Sequence, residues 1–152
     1  MLYTSTSKKH FDSVAHNELL VKFWSFGITG NLWRWFQAYL TSRKQCVRVN
    51  NITSELLPVI SGVPQGSILG PVLFLIFVND ITDSLVSSTV ALFADDTKCF
   101  KAIRSSLDSY SLQEDIHRLC LWSNQWRLKF NEQKCVLLRF CSKSHVPFNH
   151  TY

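Results

Sequence analysis

Apolar residues recur at helical spacing through the first third of the chain. Asp12 or Ser13 is placed to cap a helix, Glu18-Leu19-Leu20-Val21-Lys22-Phe23-Trp24 carries its periodicity, and Gly27 ends it. A second helix is predicted from Gly30 through Leu40, with Leu32, Trp33, Phe36 and Leu40 on its apolar face and Trp35 and Tyr39 beside it. The simplest reading of that aromatic stripe is core packing. The period then shortens. Cys46-Val47-Arg48-Val49 alternates as a strand, Asn50-Asn51 signals a turn, and Leu56 to Ile60 supplies the partner strand, with Pro58 implying a sheet edge. Ser61-Gly62-Val63-Pro64-Gln65-Gly66-Ser67 is a loop that leads into a mostly buried helix over Ile68 to Leu85, with Pro71 tolerated in its first turn.

A second hairpin follows. The apolar run Val90-Ala91-Leu92-Phe93-Ala94 breaks off into Asp95-Asp96, and Thr97-Lys98-Cys99-Phe100-Lys101 resumes the alternation: strand, acidic turn, strand. Leu107 to Trp126 is the longest helical candidate, with Leu112, Ile116, Leu119 and Cys120 on one face. Arg127 to Phe130 reads as extended, Asn131 to Lys134 as a turn, and Cys135 to Phe140 as a strand. Residues 1–10 are polar with little signal, and residues 141–152 lack periodicity, as a frayed tail does. Helices that interleave with hairpins predict an α+β fold with an antiparallel sheet.

Composition changes this picture little. At 152 residues with 46% hydrophobic content the chain is long enough for one cored domain or a piece of one. Its 11 Phe, 5 Trp and 4 Tyr call for an aromatic-rich core or interface. A net charge of +5 favours contact with polyanions over acidic partners. Arg43, Lys44 and Arg48 gather at the first hairpin, as a solvated face or as phosphate contacts. The five cysteines form no C-x-x-C pair, so neither a zinc site nor a disulfide framework is expected, and a reducing, intracellular setting (cytoplasm or nucleus) is the default. No signal-peptide layout opens the chain. The apolar run Ile68 to Val78 is too short for a bilayer, so no membrane partner is expected.

Two stretches carry chemistry. Adjacent carboxylates at Asp95 and Asp96 repel each other unless solvent or a cation compensates, and hard oxygen donors suit Mg²⁺ or Mn²⁺. In the Gly62–Gly66 loop, glycine lets a backbone approach a ligand closely, and N–H groups at the following helix start favour anions. Each has a plainer reading, as a solvated turn and as an ordinary strand-to-helix connection.

Together these residues identify a family. Ser61-Gly62-Val63-Pro64-Gln65-Gly66-Ser67-Ile68-Leu69-Gly70-Pro71, followed by Phe93-Ala94-Asp95-Asp96, closely resembles reverse transcriptases of non-LTR retrotransposons. Lys9-His10-Phe11-Asp12-Ser13-Val14-Ala15-His16 resembles that family's KAFDSVPH segment, and Trp126, Leu128, Asn131 and Lys134 match its W-x-L-x-x-N-x-x-K. The resemblance implies a polymerase palm over residues 11–140, after a diverged segment 1–10 and before the tail 141–152. It implies RNA-directed DNA polymerisation with RNA template, DNA primer and deoxynucleoside triphosphates as partners, and Mg²⁺ or Mn²⁺ as cofactor. Asp95 would ligate the metal with Asp96 in support, and Phe11 would pack on the sugar and disfavour a 2′-hydroxyl. Gly62, Pro64, Gln65 and Gly66 would lie against the nucleotide and template, and Lys134 would approach the triphosphate and protonate pyrophosphate. Two cations that clamp an in-line phosphoryl transfer need carboxylates from separate segments, which one Asp-Asp turn cannot supply.

One departure bears on activity. The family's first carboxylate stands three residues before the lysine of its D-x-x-K-A-F-D pattern. Here that place holds Thr6, or Ser5 with one residue inserted, and His10 replaces the small alanine. Asp12 matches the later aspartate of the pattern, which is not the metal ligand. The resemblance also predicts fingers segments upstream and a thumb downstream that the sequence does not contain. The expectation is therefore a palm piece that does not catalyse by itself, with a non-catalytic basic RNA- or DNA-binding remnant as the alternative.

Overall fold

The computed structural model describes residues 2–5 and 10 by their backbone, and residues 11–94 and 96–140 in full. Its elements in order are β1 (Leu2–Ser5), α1 (His10–Ser13), α2 (His16–Ser25), α3 (Gly30–Thr41), β2 (Lys44–Gln45), β3 (Arg48–Val49), β4 (Ile52–Thr53), β5 (Leu57–Pro58), α4 (Leu69–Val78), a 3₁₀ turn (Asn79–Ser84), β6 (Thr89–Phe93), β7 (Asp96–Phe100), α5 (Ser106–Gln125), a second 3₁₀ turn (Glu132–Lys134) and β8 (Val136–Leu138). The chain divides into two compact units, one of residues 11–77 and one of residues 1–10 with 78–152. Helices with small antiparallel sheets make this an α+β fold, as expected.

In the unit of residues 11–77, the expected first helix is two. Neither Asp12 nor Ser13 caps it: α2 starts after Ala15, in an extended conformation with no side-chain cap. The break has a cause outside the local sequence. Gly62 N–H donates to Val14 O at 2.8 Å, Val63 N–H donates to Phe11 O at 2.8 Å, and Ala15 bridges Ser61. Pairing with the 61–63 segment takes the backbone groups that a continuous helix would use. Val14, Leu19, Leu20, Phe23, Leu40, Val63, Leu73, Phe74 and Phe77 are the buried apolar residues of this unit.

The aromatic stripe of α3 is core only in part. Leu40 is buried, Trp33 and Phe36 are half-buried, and Leu32 and Trp35 are exposed. Phe36 packs on Phe23 at 4.6 Å, whereas Trp35 stacks on Tyr39 at 5.3 Å on the outside. Periodicity cannot separate these because a wide aromatic face satisfies it either way. The hairpin also differs from expectation. Arg48–Val49 pairs with Ile52–Thr53 across Asn50-Asn51, both at positive φ, while Leu57–Pro58 pairs with Lys44–Gln45. Two consecutive left-handed residues are the tight hairpin turn that Asn favours, and it pulls the partner strand closer in sequence than Leu56 to Ile60.

Lys22 is only 1% exposed, on a helix face that its charge marks as solvent-facing. Its Nζ donates to the Phe77 carbonyl and lies 4.8 Å from the centroid of the Phe77 ring. That carbonyl belongs to the last turn of α4, where side-chain donors can supplement the helical ladder. Lys22→Met keeps the aliphatic length and loses the donor. It should lower the unfolding free energy by about 1–3 kcal/mol, the cost of losing a buried hydrogen bond from a charged donor, as read by urea denaturation. A loss below about 0.5 kcal/mol, the scale of ordinary surface substitutions, would show that the amine does not hold the end of α4.

The other unit is built on a four-stranded antiparallel sheet in the order β6-β7-β1-β8. Residues 2–5, which gave little sequence signal, form one of its two inner strands: Leu2 to Ser5 pair with Phe100 to Thr97 on one side, and Leu2 to Thr4 with Leu138 to Val136 on the other. The helix expected over Ile68 to Leu85 ends at Val78 and tightens into the first 3₁₀ turn, where Thr82 Oγ1 bonds Asn79 O and Ser84 Oγ bonds Ile81 O. Hydroxyls that bond nearby carbonyls compete with the helical ladder. Within α4 Gly70, Leu73, Phe74, Phe77 and Val78 are buried as expected, whereas Pro71, Val72 and Leu75 are exposed. The start of α5 is set by a reciprocal capping box between Ser105 and Asp108. Its buried face runs through Leu112, Asp115, Leu119 and Trp122, whereas Cys120 is exposed and Ile116 half-buried. The expected Ile116 and Cys120 gave way because an aspartate occupies a core position. The strand expected over Cys135 to Phe140 is shorter, Val136–Leu138, and the tail 141–152 lies outside the described residues.

Candidate active site

The sequence-derived site residues divide between the two units. In residues 11–77, the 61–63 segment lies antiparallel to Phe11–Ala15. The Phe11 ring stacks on Phe74 of α4 at 4.4 Å and 26°, which fixes the aromatic face the resemblance assigns to a sugar. Gly62 sits at φ +88°, and a Cβ there would stand 2.9 Å from Asp12 Cα and 3.0 Å from Asp12 O. Only glycine permits both the left-handed backbone and that approach. His16 Nε2 is 2.9 Å from Gly62 O; a carbonyl only accepts, so that nitrogen carries the hydrogen. Ser61 Oγ donates to Asp12 O at 2.9 Å, and Gln65 Nε2 donates to Asp12 Oδ1 at 2.6 Å. The fold thus brings together Phe11, Gly62 and Gln65, with Pro64 between them in the chain, and adds Asp12, which the sequence offered as a helix cap and as the later aspartate of the family's pattern. Gly66, at φ +78° with nothing within 4 Å of its Cβ position, is needed for its turn alone.

These residues border an open cavity of about 620 Å³ lined by Asp12, Arg43, Gln45, Ser61, Gly62 and Gln65 among others. Arg43 contributes to its wall and keeps one buried guanidinium nitrogen, Nη1, without a partner among the described residues. Of the three basic residues expected at the hairpin, Arg48 instead bonds the turn residue Asn51 at 3.2 Å. The amides at the start of α4 are not all open to an anion, because Ser67 Oγ accepts from Gly70 N–H at 2.9 Å.

In the other unit the acidic hairpin is present as expected. β6 and β7 pair in register from Thr89–Phe100 to Phe93–Asp96, and Ala94 lies in the turn between them. Asp95, the principal metal ligand by resemblance, lies outside the described residues, as does Thr6. Asp96 is half-buried at the start of β7. Ala94 holds φ +52°, a region that costs a non-glycine residue about 1–2 kcal/mol. Ala94→Gly should therefore stabilise the hairpin by about 0.5–1 kcal/mol, the relieved strain less the greater chain entropy of glycine. A fall in melting temperature would contradict that account. Lys134 closes the second 3₁₀ turn and is exposed, with its N–H on Asn131 O at 3.0 Å.

The register of β1 adds what periodicity missed. Ser5, one of the two candidates for the place of the first carboxylate, pairs with Thr97, the neighbour of Asp96. The backbone position is beside the acidic turn; the residue there is neutral. Among the described residues no three His, Cys, Asp or Glu side chains form a group that holds a metal ion. The buried Cys99 beneath this hairpin has its thiol pushed up to about 11, mainly by burial, and is inert packing.

Sequence reasoning overlooked the group that anchors this hairpin. Asp115 of α5 is fully buried, and its carboxylate accepts from the N–H groups of Val86 (3.0 Å), Ser87 (2.9 Å) and Ser88 (2.7 Å), from Ser87 Oγ (2.7 Å) and from Arg118 Nη1 (2.7 Å). Residues 86–88 lead directly into β6. On the same helix Ser111 Oγ accepts from Lys101 Nζ at 2.6 Å just after β7, and Trp122 Nε1 donates to Asp80 at 3.1 Å. Burial pushes the Asp115 carboxyl up, but the hydrogen bonds from Ser87 and Val86 outweigh it and hold the group far below the usual carboxylate range. An acidic residue at a core-face position of an amphipathic helix was the one sequence signal available.

Comparison with known proteins agrees with the motifs. The family model described as reverse transcriptase (RNA-dependent DNA polymerase) matches residues 6–148. The chain is 32% identical over 142 residues, 88% of its length, to the RNA-directed DNA polymerase from mobile element jockey of Drosophila melanogaster, of which it covers 15%. Two further D. melanogaster relatives are the probable RNA-directed DNA polymerases from transposon X-element, 32% identical over 73% of this chain and 13% of that protein, and from transposon BS, 31% identical over 90% and 16%. The chain thus spans about 15% of the length of the curated relatives it matches. No described helix is long and apolar enough to cross a membrane. From the two motifs, the acidic hairpin and these matches, the chain belongs to the reverse transcriptase family, as a reverse transcriptase domain of the non-LTR retrotransposon type.

Proposed function

We propose that the chain is the palm-type portion of an RNA-directed DNA polymerase, acting on an RNA template, a DNA primer and deoxynucleoside triphosphates. The observation that carries this reading is the β1–β7 register, which sets Ser5 across from Thr97 beside the Asp95-Asp96 turn. A polymerase palm needs two strands of one sheet to present carboxylates side by side, and here the two strands are neighbours. In this reading Asp95 and Asp96 are donors for Mg²⁺ or Mn²⁺, and Phe11, Gly62, Pro64, Gln65 and Gly66 contact nucleotide and template. Lys134 supplies a positive charge toward the triphosphate, which offsets charge that develops on a leaving group. Ser5 and Thr6, the two residues at the place of the family's first carboxylate, are neutral, so we propose that the chain as it stands does not catalyse by itself.

Primer extension on an RNA template with Mg²⁺ or Mn²⁺ tests this. The expected result is no extension by the natural sequence, and extension by Ser5→Asp or Thr6→Asp when either is placed in a longer polymerase chain carrying the flanking regions of a relative. Restoring one ligand of a metal pair is expected to raise the rate by orders of magnitude. Robust extension by the natural sequence that survives Asp95→Ala would overturn the roles given to these residues. If Ser5→Asp and Thr6→Asp both stay inactive in a longer chain that is active with the relative's own palm, the missing carboxylate is not the defect.

A further inference from the structure

The outer face of α3 carries aromatic rings that the core does not use. Trp35 and Tyr39, one helical turn apart, stack at 5.3 Å with their planes 9° from parallel. Trp35 is 49% exposed, and its ring meets Phe36 edge-on at 5.0 Å, which braces it against a residue that packs on Phe23. The charge around this face has one sign. From Leu19 to Ser54 the sequence contains no Asp or Glu, while Arg34, Arg43, Lys44 and Arg48 fall within that stretch. Arg34 flanks Trp35 on α3, and Lys44 opens β2 just after α3 ends at Thr41; both are exposed. An apolar protein partner has no use for such a bias. Parallel aromatic planes beside cations match a polyanion built of flat rings.

We propose that this face of α3, with Arg34, Lys44 and Arg48, is a stacking platform for unpaired bases of single-stranded RNA, made of residues other than the Gly62–Gly66 loop and the acidic hairpin. A base extends the Trp35–Tyr39 stack through its π-face, and the cations take the flanking phosphates. Only bases free of pairing expose that face, so a duplex is not the ligand. The choice of RNA over DNA rests on the proposed reading of the chain as part of an RNA-copying polymerase, because the strand such an enzyme meets unpaired is its template.

Binding of a fluorescein-labelled oligo(rA) of about 12 nucleotides, within the usual site size of such platforms, tests this at low salt. Trp35→Leu should weaken it about tenfold, with an unchanged far-UV circular dichroism spectrum. Where Trp35→Leu does not fold, Tyr39→Leu carries the same expectation. Trp24→Leu, which removes a more exposed tryptophan on α2, is the control and should leave the affinity as it is. Arg34→Ala and Lys44→Ala should each lower the slope of log affinity against log salt by about 0.7. A folded Trp35→Leu that binds like the natural chain overturns the platform, and so does an equal loss in Trp24→Leu. Inorganic polyphosphate that binds as tightly as oligo(rA) shows charge alone and overturns stacking, and an affinity unchanged by annealing to oligo(rU) overturns the need for unpaired bases. Tighter binding of oligo(dA) than of oligo(rA) overturns the assignment to RNA. No binding of oligo(rA) overturns the site and leaves the face to a protein partner. Primer extension separates this proposal from the polymerase reading. An affinity that depends on Trp35, in a chain whose Ser5→Asp and Thr6→Asp forms stay inactive, supports the platform and faults the polymerase reading. Restored extension with an affinity that ignores Trp35 overturns the platform alone.

Discussion

Asp115→Ala should unfold the hairpin-bearing unit at much lower denaturant than the natural chain, with a loss of about 3–5 kcal/mol. The substitution leaves three backbone N–H groups, one hydroxyl and one guanidinium without their shared acceptor, in a place where the carboxylate has no solvent exposure. Hydrogen exchange should accelerate first in Val86 to Ser88 and then along β6, because those amides lead straight into the strand. The pH dependence follows from the direction of the shift. The unfolded carboxyl titrates at about 3.9. In the folded chain burial raises it, but the bonds from Ser87 and Val86 prevail and hold it far lower. Above about pH 4 both states are ionised and the full contribution is present. As pH falls further the unfolded chain takes up the proton first, and the contribution drains away toward the folded-state value. Asp115→Asn should therefore flatten the acid limb of the stability profile below about pH 4 and lower the plateau above it. A plateau unchanged within about 0.5 kcal/mol would mean that α5 does not anchor the hairpin.

The second large effect is expected at Gly62. A methyl group there meets Asp12 Cα at 2.9 Å and Phe11 O at 3.1 Å, backbone atoms that cannot swing aside, and the φ of +88° is itself strained for alanine. Gly62→Ala should cost about 3 kcal/mol or more, as the sum of left-handed strain and a backbone displacement. Gly66→Ala is the control. It has comparable φ but open space around its Cβ, so only the strain of about 1–2 kcal/mol remains. Equal losses at the two positions would show that conformation, and not close approach to Phe11 and Asp12, requires Gly62. The Asp12–Gln65 bond should be lost with Gly62→Ala and kept with Gly66→Ala, since the first pushes the loop off the 11–14 segment.

Much of the molecule was legible in the sequence where the signal is local. The acidic hairpin was readable because alternation on both sides of Asp95-Asp96 fixes two strands, and the family followed from motif order. The end of α2 at Gly27 and the start of α3 at Gly30 obeyed their glycines. Signals that depend on distant partners were not readable. The split between α1 and α2 arises because Val14 O is taken by Gly62, residues far apart in the chain. The inner position of Leu2–Ser5 comes from ladders to β7 and β8, and four residues carry no period long enough to announce it.

The sequence by itself determined the family, the acidic turn and the neutral residue at Ser5 or Thr6 where a carboxylate is expected, because those facts are residue identities. Tertiary structure decided what those identities touch. It placed Ser5 beside the acidic turn by strand register, turned Asp12 from a helix cap into the partner of Gln65, and made Asp115 the anchor of β6. The physical reason is the same in each case: a carboxylate or a backbone amide is defined by the group that satisfies it, and those groups come from segments the chain brings together only on folding.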